Sequence, residues 1–79
     1  MNATQKDTLR QIEETHSVTI DVRSFPTPHF GEHTNLDARR SGRIIAMASV
    51  RQGRTWEQAI GDLVDRIEAA HGYRHLDGI

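Results

Sequence analysis

Residues 55–71, TWEQAIGDLVDRIEAAH, decide the fold of this chain. The apolar side chains of this stretch recur at a spacing of three and four, which places them on one face of an α-helix. They are Trp56, Ala59, Ile60, Leu63, Val64, Ile67 and Ala70. Thr55 and Gln58 form a capping-box pattern, and we expect Gly72 to end the helix because glycine readily adopts the left-handed conformation. The stretch therefore predicts an amphipathic helix that covers a core with one face.

A weaker amphipathic pattern near the start of the sequence predicts a first helix. We expect it over residues 4–15, with Thr4 as the N-cap and with Leu9 and Ile12 as a narrow apolar stripe. Because two apolar residues bury little surface, packing against the rest of the chain must hold this helix in place.

Between the two helices the apolar pattern changes to period two, which is typical of strands. Residues 17–24 predict a half-buried strand that we expect Pro26 to end, since proline cannot donate to a sheet ladder. Residues 33–40 either form a second strand or belong to the loop, and a tight turn follows at residues 41–42. Residues 43–51 carry apolar side chains on both sides, as a central strand does. Their main apolar face is Ile44, Ala46, Ala48 and Val50.

These elements predict an α+β domain of order α-β-β-β-α, or α-β-β-α if residues 33–40 do not form a strand. The simplest layered arrangement is a small antiparallel sheet of two or three strands with both helices on one face. A chain of 79 residues is long enough for one domain. Within it we expect a loop-rich connection over residues 26–42 and a tail over residues 73–79 that is free to fray.

The composition excludes several classes of function. The chain has no cysteine, which rules out disulfides, thiol nucleophiles and cysteine-bound zinc and fits a reducing compartment. No apolar run approaches the roughly 20 residues that cross a bilayer, and the sequence begins without the features of a signal peptide. We therefore expect a cytoplasmic protein that does not act at a membrane.

Five histidines raise the question of a metal site, because His29 and His33 have the same spacing as His71 and His75. This spacing aligns two imidazoles only on a continuous helix, whereas the first pair lies in a proline- and glycine-containing loop and Gly72 interrupts the second. We expect these histidines at the surface, with no bound metal or cofactor. A chain of this size also offers little concave surface for a catalytic site, so we expect no enzymatic activity.

The net charge of −1 conceals two segments of opposite charge. The positive segment contains five arginines with no acidic residue between them: Arg39, Arg40, Arg43, Arg51 and Arg54. The predicted C-terminal helix is acidic on its outer face, which carries Glu57, Asp62, Asp65 and Glu68. The acidic face suits a basic nucleic-acid channel, and the arginines suit phosphates or an acidic partner. The alternatives are ordinary solvation and, for the arginines, protection of a strand end against aggregation.

The order α-β-β-β-α, over about residues 4–71, resembles the topology of the double-stranded RNA-binding domain. That family begins its last helix with lysines, whereas this chain has RTWEQAIGD at the same place. Glu57 and Asp62 then occupy positions that would meet phosphates. The resemblance therefore implies a fold and a class of ligand, and it carries over no binding residue.

In size and character the chain also resembles small inhibitors encoded by phages and mobile elements, of which anti-CRISPR proteins are an example. Such inhibitors are single domains, poor in cysteine, with charged faces; the resemblance rests on no motif. It implies a non-enzymatic protein that occludes a larger protein or nucleoprotein partner through a charged face, here the acidic one. The alternative function is a nucleic-acid-binding module that uses the five arginines. Whether the chain is a monomer or a dimer stays open.

Overall fold

The computed structural model describes residues 1–29, 31–51 and 53–77, with side chains described as far as Ala70. The elements follow one another as α1 (Ala3–His16), β1 (Thr19–Thr27), β2 (Gly31–Arg40), β3 (Arg43–Val50) and α2 (Trp56–Asp77). The strands form one antiparallel sheet in the order β1-β2-β3. The predicted α+β class and the longer of the two predicted orders, α-β-β-β-α, are therefore confirmed.

The core lies between one face of the sheet and the two helices. Every element contributes to it or borders it, and the strand residues that reach it alternate along β2 and β3, as the pleat of a sheet requires. The buried apolar residues are Leu9, Ile12, Val18, Leu36, Ala38, Ala46, Ala48, Ala59, Leu63 and Ile67. The small side chains of β3 leave room for α2, which packs mainly on that strand.

The β2–β3 hairpin contains a feature that the sequence pattern did not reveal. Its turn has positive φ at Ser41 (55°) and Gly42 (80°), as a tight two-residue turn requires. Ala38 pairs with Ala46 but the next residue, Arg39, pairs with Ile44, so one residue of β3 is left without a partner in the register. This β-bulge turns Ile44 away from the core and leaves it 45% exposed, and the prediction that it shares a face with Ala46 is wrong.

Two predictions about the strands also need correction. β1 continues through Pro26 to Thr27, because Pro26 lies on an edge strand where a missing N–H breaks no ladder bond. β3 is the other edge strand, and the central strand is β2. Within residues 26–42, which we expected to be rich in loop with a strand over residues 33–40 in one alternative, β2 covers Gly31–Arg40.

The helix ends follow their caps. The N-cap of α1 is Asn2, two positions before the predicted Thr4: Asn2 Oδ1 accepts the Gln5 N–H at 2.8 Å, and the Gln5 side chain accepts the Asn2 N–H at 2.9 Å. The predicted capping box of α2 is confirmed, since Thr55 Oγ1 and Gln58 Oε1 accept the corresponding N–H groups. Gly72 does not end α2, whose backbone continues to Asp77. Glycine permits a helix end without forcing it, and within a helix it costs only about 1 kcal/mol relative to alanine.

Candidate interaction surfaces

The sheet has a second face that no described element covers, and we call it the open face. The registers of the strands place twelve side chains on it: Thr19, Asp21, Arg23, Phe25, Thr27, His33, Asn35, Asp37, Arg39, Ile44, Met47 and Ser49. They alternate with the core residues along the same strands. Arg39 is the only one of them that belongs to the two charged surfaces predicted from the sequence, and His33 was considered there only as a metal ligand.

Two ion pairs connect β1 to β2 across the open face. Arg23 Nη2 donates to Asp37 Oδ2 at 2.7 Å, and Asp37 is only 1% exposed, so the guanidinium covers a buried carboxylate. The second oxygen, Asp37 Oδ1, has no hydrogen-bond partner among the described residues. Arg39 Nε lies 2.7 Å from Asp21 Oδ2 in a direction that makes no hydrogen bond, so this pair is held by charge alone.

Polar and aromatic contacts extend this network along the strands. The rings of Phe25 and His33 stack with centroids 5.1 Å apart and planes inclined by 14°. His33 Nε2 lies 2.9 Å from Asn35 Oδ1, which also accepts the Ser49 hydroxyl at 3.1 Å. The contacts therefore link all three strands and hold the Phe25 ring at the surface.

The open face also exposes large apolar side chains. Met47 is 52% exposed and Phe25 is 44% exposed, and the bulge adds Ile44 to the same surface. Phe30, the other phenylalanine of the chain, lies outside the described residues. Exposed apolar groups concentrated on one face are typical of interaction surfaces, whereas single scattered ones are ordinary.

The five arginines predicted as one cluster are divided between the two ends of β3. Arg39, Arg40 and Arg43 lie at the hairpin end, and Arg51 and Arg54 lie about 25 Å away at the other end. Arg40 Nη2 donates to the His16 carbonyl at 2.7 Å and thereby satisfies one of the carbonyl groups that the C-terminal end of α1 leaves unpaired. The structure does not bring the five together on one surface, and two of those at the hairpin end, Arg39 and Arg40, are engaged within the domain.

At the far end of β3 a different arginine completes a cationic pocket. Arg54 pairs with Asp62 of α2, and Arg66 donates to the Met47 carbonyl. These side chains and Arg51 line a pocket of about 230 Å³. Sequence reasoning missed Arg66 because it lies among the acidic residues of α2; its position at i+4 from Asp62, on the flank of the apolar stripe, is the signal that was available.

The predicted acidic face of α2 keeps three of its four acidic residues unpaired within the described part of the chain. Glu57, Asp65 and Glu68 are exposed on α2 and make no ion pair or hydrogen bond with any described side chain. Asp62 differs from them because it is half-buried and forms an ion pair with Arg54. Whether this face binds a partner stays a prediction.

Among the described side chains, no three histidine, aspartate or glutamate residues come together as metal ligands. His71 and His75 lie beyond the last described side chain, so that pair is not part of this observation. No helix among the described residues is long and apolar enough to cross a membrane.

Comparisons of this chain with protein-family models, with curated proteins and with solved structures find no match. The function must therefore be inferred from the surfaces described above.

Proposed function

We propose that this chain is a small non-enzymatic binding protein that occludes a larger protein partner, and that it docks through the open face of its sheet. The observation that carries this proposal is the exposure of Phe25, Ile44 and Met47 on one helix-free surface. An inhibitor of the kind that phages and mobile elements encode is the form of this function that the resemblance in size and character suggests.

The composition of the open face supports a protein partner. Aromatic residues, methionine and arginine are enriched at protein interfaces, and this face carries one phenylalanine, one methionine and two arginines. The stack on His33 and the ion pair of Arg23 with Asp37 hold two of these side chains in place before binding. A side chain that is already ordered loses less conformational entropy on association.

The charge of the open face supports the same choice. Arg23 and Arg39 are each matched by an aspartate, so the face carries no excess of positive charge. A surface that binds nucleic acid draws most of its affinity from unmatched cations that release counterions from phosphates. A charge-balanced face with exposed apolar groups fits a protein surface better.

Nucleic-acid binding is the second candidate function, and one observation favours it. Arg51, Arg54 and Arg66 share a pocket with a single acidic side chain, Asp62, so that region does carry excess positive charge. This candidate involves the end of β3 and α2, and it does not use the hairpin arginines.

The proposed function is tested by affinity capture with immobilised chain, followed by identification of bound proteins from candidate source cells. Phe25→Ser and Met47→Ser should each remove a specific partner, because each removes a large exposed apolar side chain from the open face. Val22→Ser is the matched control, since Val22 lies on the same strand as Phe25, is 37% exposed, and points toward the other side of the sheet.

The outcomes separate the two functions and the two faces. A partner lost with Phe25→Ser and retained with Val22→Ser supports docking through the open face. A partner lost only when Asp65→Lys and Glu68→Lys reverse the acidic face would move the site to α2. Salt-sensitive binding of free RNA or DNA in a gel-shift titration, with no protein captured, would replace this proposal by the second candidate.

A further inference from the structure

The outer edge of β3 has backbone groups that point away from the sheet. Arg66 of α2 donates to the Met47 carbonyl, which therefore faces away from β2. On the opposite edge, the Ile20 N–H donates to Glu13 Oε2 at 2.8 Å and so faces away from β2 as well. Both orientations agree with one register, in which alternate residues of each edge strand turn their N–H and C=O outward. In β3 the outward residues are Met47 and Ser49.

The two edges of the sheet differ in how they are protected. On β1, Glu13 occupies the Ile20 N–H, and Pro26 has no N–H to offer. On β3, the described residues supply one protecting contact, the Arg66 guanidinium on the Met47 carbonyl. The N–H groups of Met47 and Ser49 remain directed outward, as do those of Val22 and Ser24 on β1. The β3 edge is distinguished by the pockets that lie beside it.

Two pockets flank Arg66 along this edge. One is apolar, has a volume of about 350 Å³ and is lined by Ile44, Ile45, Ala46 and Met47 together with Arg66. The other is the cationic pocket of about 230 Å³, whose lining of three arginines and one aspartate has a net charge of +2. Arg66 lines both pockets, so an apolar pocket and a cationic pocket adjoin each other along this edge.

We propose that the outer edge of β3 binds an extended acidic peptide, which adds a fourth strand to the sheet. Apolar side chains of the peptide fill the pocket beside Ile44 and Ile45, and its carboxylates meet Arg51 and Arg66. A peptide N–H replaces the Arg66 guanidinium on the Met47 carbonyl, and the guanidinium turns to a peptide carboxylate. Backbone hydrogen bonds give such a complex its affinity, and alternate side chains in pockets give it specificity.

Charge disfavours a second copy of the chain at this edge. An antiparallel pair of β3 strands centred on Met47 would place Arg43 of each copy opposite Arg51 of the other. Like charges directly opposite one another destabilise a strand pair. The same two arginines attract an acidic strand.

The test is an NMR titration of the isotope-labelled chain with a synthetic nine-residue peptide that alternates valine and glutamate. The expected result is perturbation of the backbone signals of residues 45–50 and slower hydrogen exchange of the Ser49 N–H. The same peptide with lysine in place of glutamate should bind at least about tenfold more weakly, because it loses the charge-assisted contacts.

Variants locate the site. Arg51→Glu and Arg66→Glu should each weaken binding about tenfold or more, whereas Arg10→Glu, the same charge change on the exposed surface of α1, should not. The Arg51 side chain makes no hydrogen bond or ion pair with the described residues, so Arg51→Glu should fold and still tests the site if Arg66→Glu fails to fold.

This site adjoins the open face and shares Ile44 and Met47 with it. Phe25→Ser distinguishes the two functions, because Phe25 lies on the opposite edge strand and its loss should leave peptide binding unchanged. Equal binding of the glutamate and lysine peptides, equal weakening by Arg51→Glu and Arg10→Glu, or perturbation centred on β1 would each overturn the proposal.

Discussion

On the covered face of the sheet, Leu36 and Ala38 are completely buried beneath the helices, whereas Arg23, Phe25 and Met47 on the open face reach solvent. Both sets of side chains come from the same three strands and alternate along them. The covered face is held by close packing of apolar groups, and the open face by ion pairs, one aromatic stack and a line of hydrogen bonds. Stability is therefore concentrated on one face, and the other is available for recognition.

The largest effect expected from this contrast is on the covered face. Leu63 of α2 is completely buried, so Leu63→Ala should lower the free energy of unfolding by about 2–5 kcal/mol. A domain of this length has a total stability of roughly 4–12 kcal/mol. Urea denaturation followed by circular dichroism measures the change, with the half-buried Val64→Ala as the control for a smaller loss. A cost below about 1 kcal/mol for Leu63→Ala would mean that α2 does not cover the sheet as described.

Two adjacent isoleucines in β3 offer a sharper comparison, because the bulge directs them to different faces. Ile45 packs against the core, whereas Ile44 is exposed on the open face. Ile45→Ala should lower the free energy of unfolding by about 2 kcal/mol, and Ile44→Ala by less than about 1 kcal/mol. The same denaturation experiment measures both. If Ile44→Ala proved the more costly, the register at the bulge would be wrong.

The smallest effect distinguishes the two ion pairs of the open face. Arg23→Ala leaves the buried Asp37 carboxylate without its described partner and should cost about 1 kcal/mol. Arg39→Ala should cost less, because Asp21 is substantially exposed and water can solvate it. Adding Asp37→Asn to Arg23→Ala should recover part of the loss, since the amide carries no charge. Equal costs for the two arginine variants would show that the burial of Asp37 has no energetic consequence.

Local patterns were sufficient to predict most of the elements. The spacing of apolar residues predicted both helices, the strands β1 and β3 and, in one of two alternatives, β2. The Thr55–Gln58 pair predicted the start of α2. The ends of elements were less predictable. Asn2 and Thr4 are both good N-caps, and only the reciprocal contact with Gln5 selects Asn2. Pro26 and Gly72 were expected to end their elements, but an edge strand tolerates proline and a helix tolerates glycine at modest cost.

The candidate surfaces were less predictable than the fold. The five arginines are close in sequence, but Arg43 and Arg51 lie about 25 Å apart because the strand between them is extended. Arg66, which belongs to α2, lines the same pocket as Arg51. The open face was missed because its polar members resemble ordinary solvated strand residues in the sequence. A buried aspartate such as Asp37 becomes recognisable only when Arg23 on the neighbouring strand is seen to cover it.

By itself the sequence determined the α+β class of this protein and reduced the order of its elements to two alternatives, because periodicity and capping act over neighbouring residues. Only the tertiary structure decided which strand is central, which face of the sheet stays open and which arginines share a pocket. These properties depend on register and on contacts between residues distant in the chain, and a bulge of one residue is enough to move Ile44 from one face to the other.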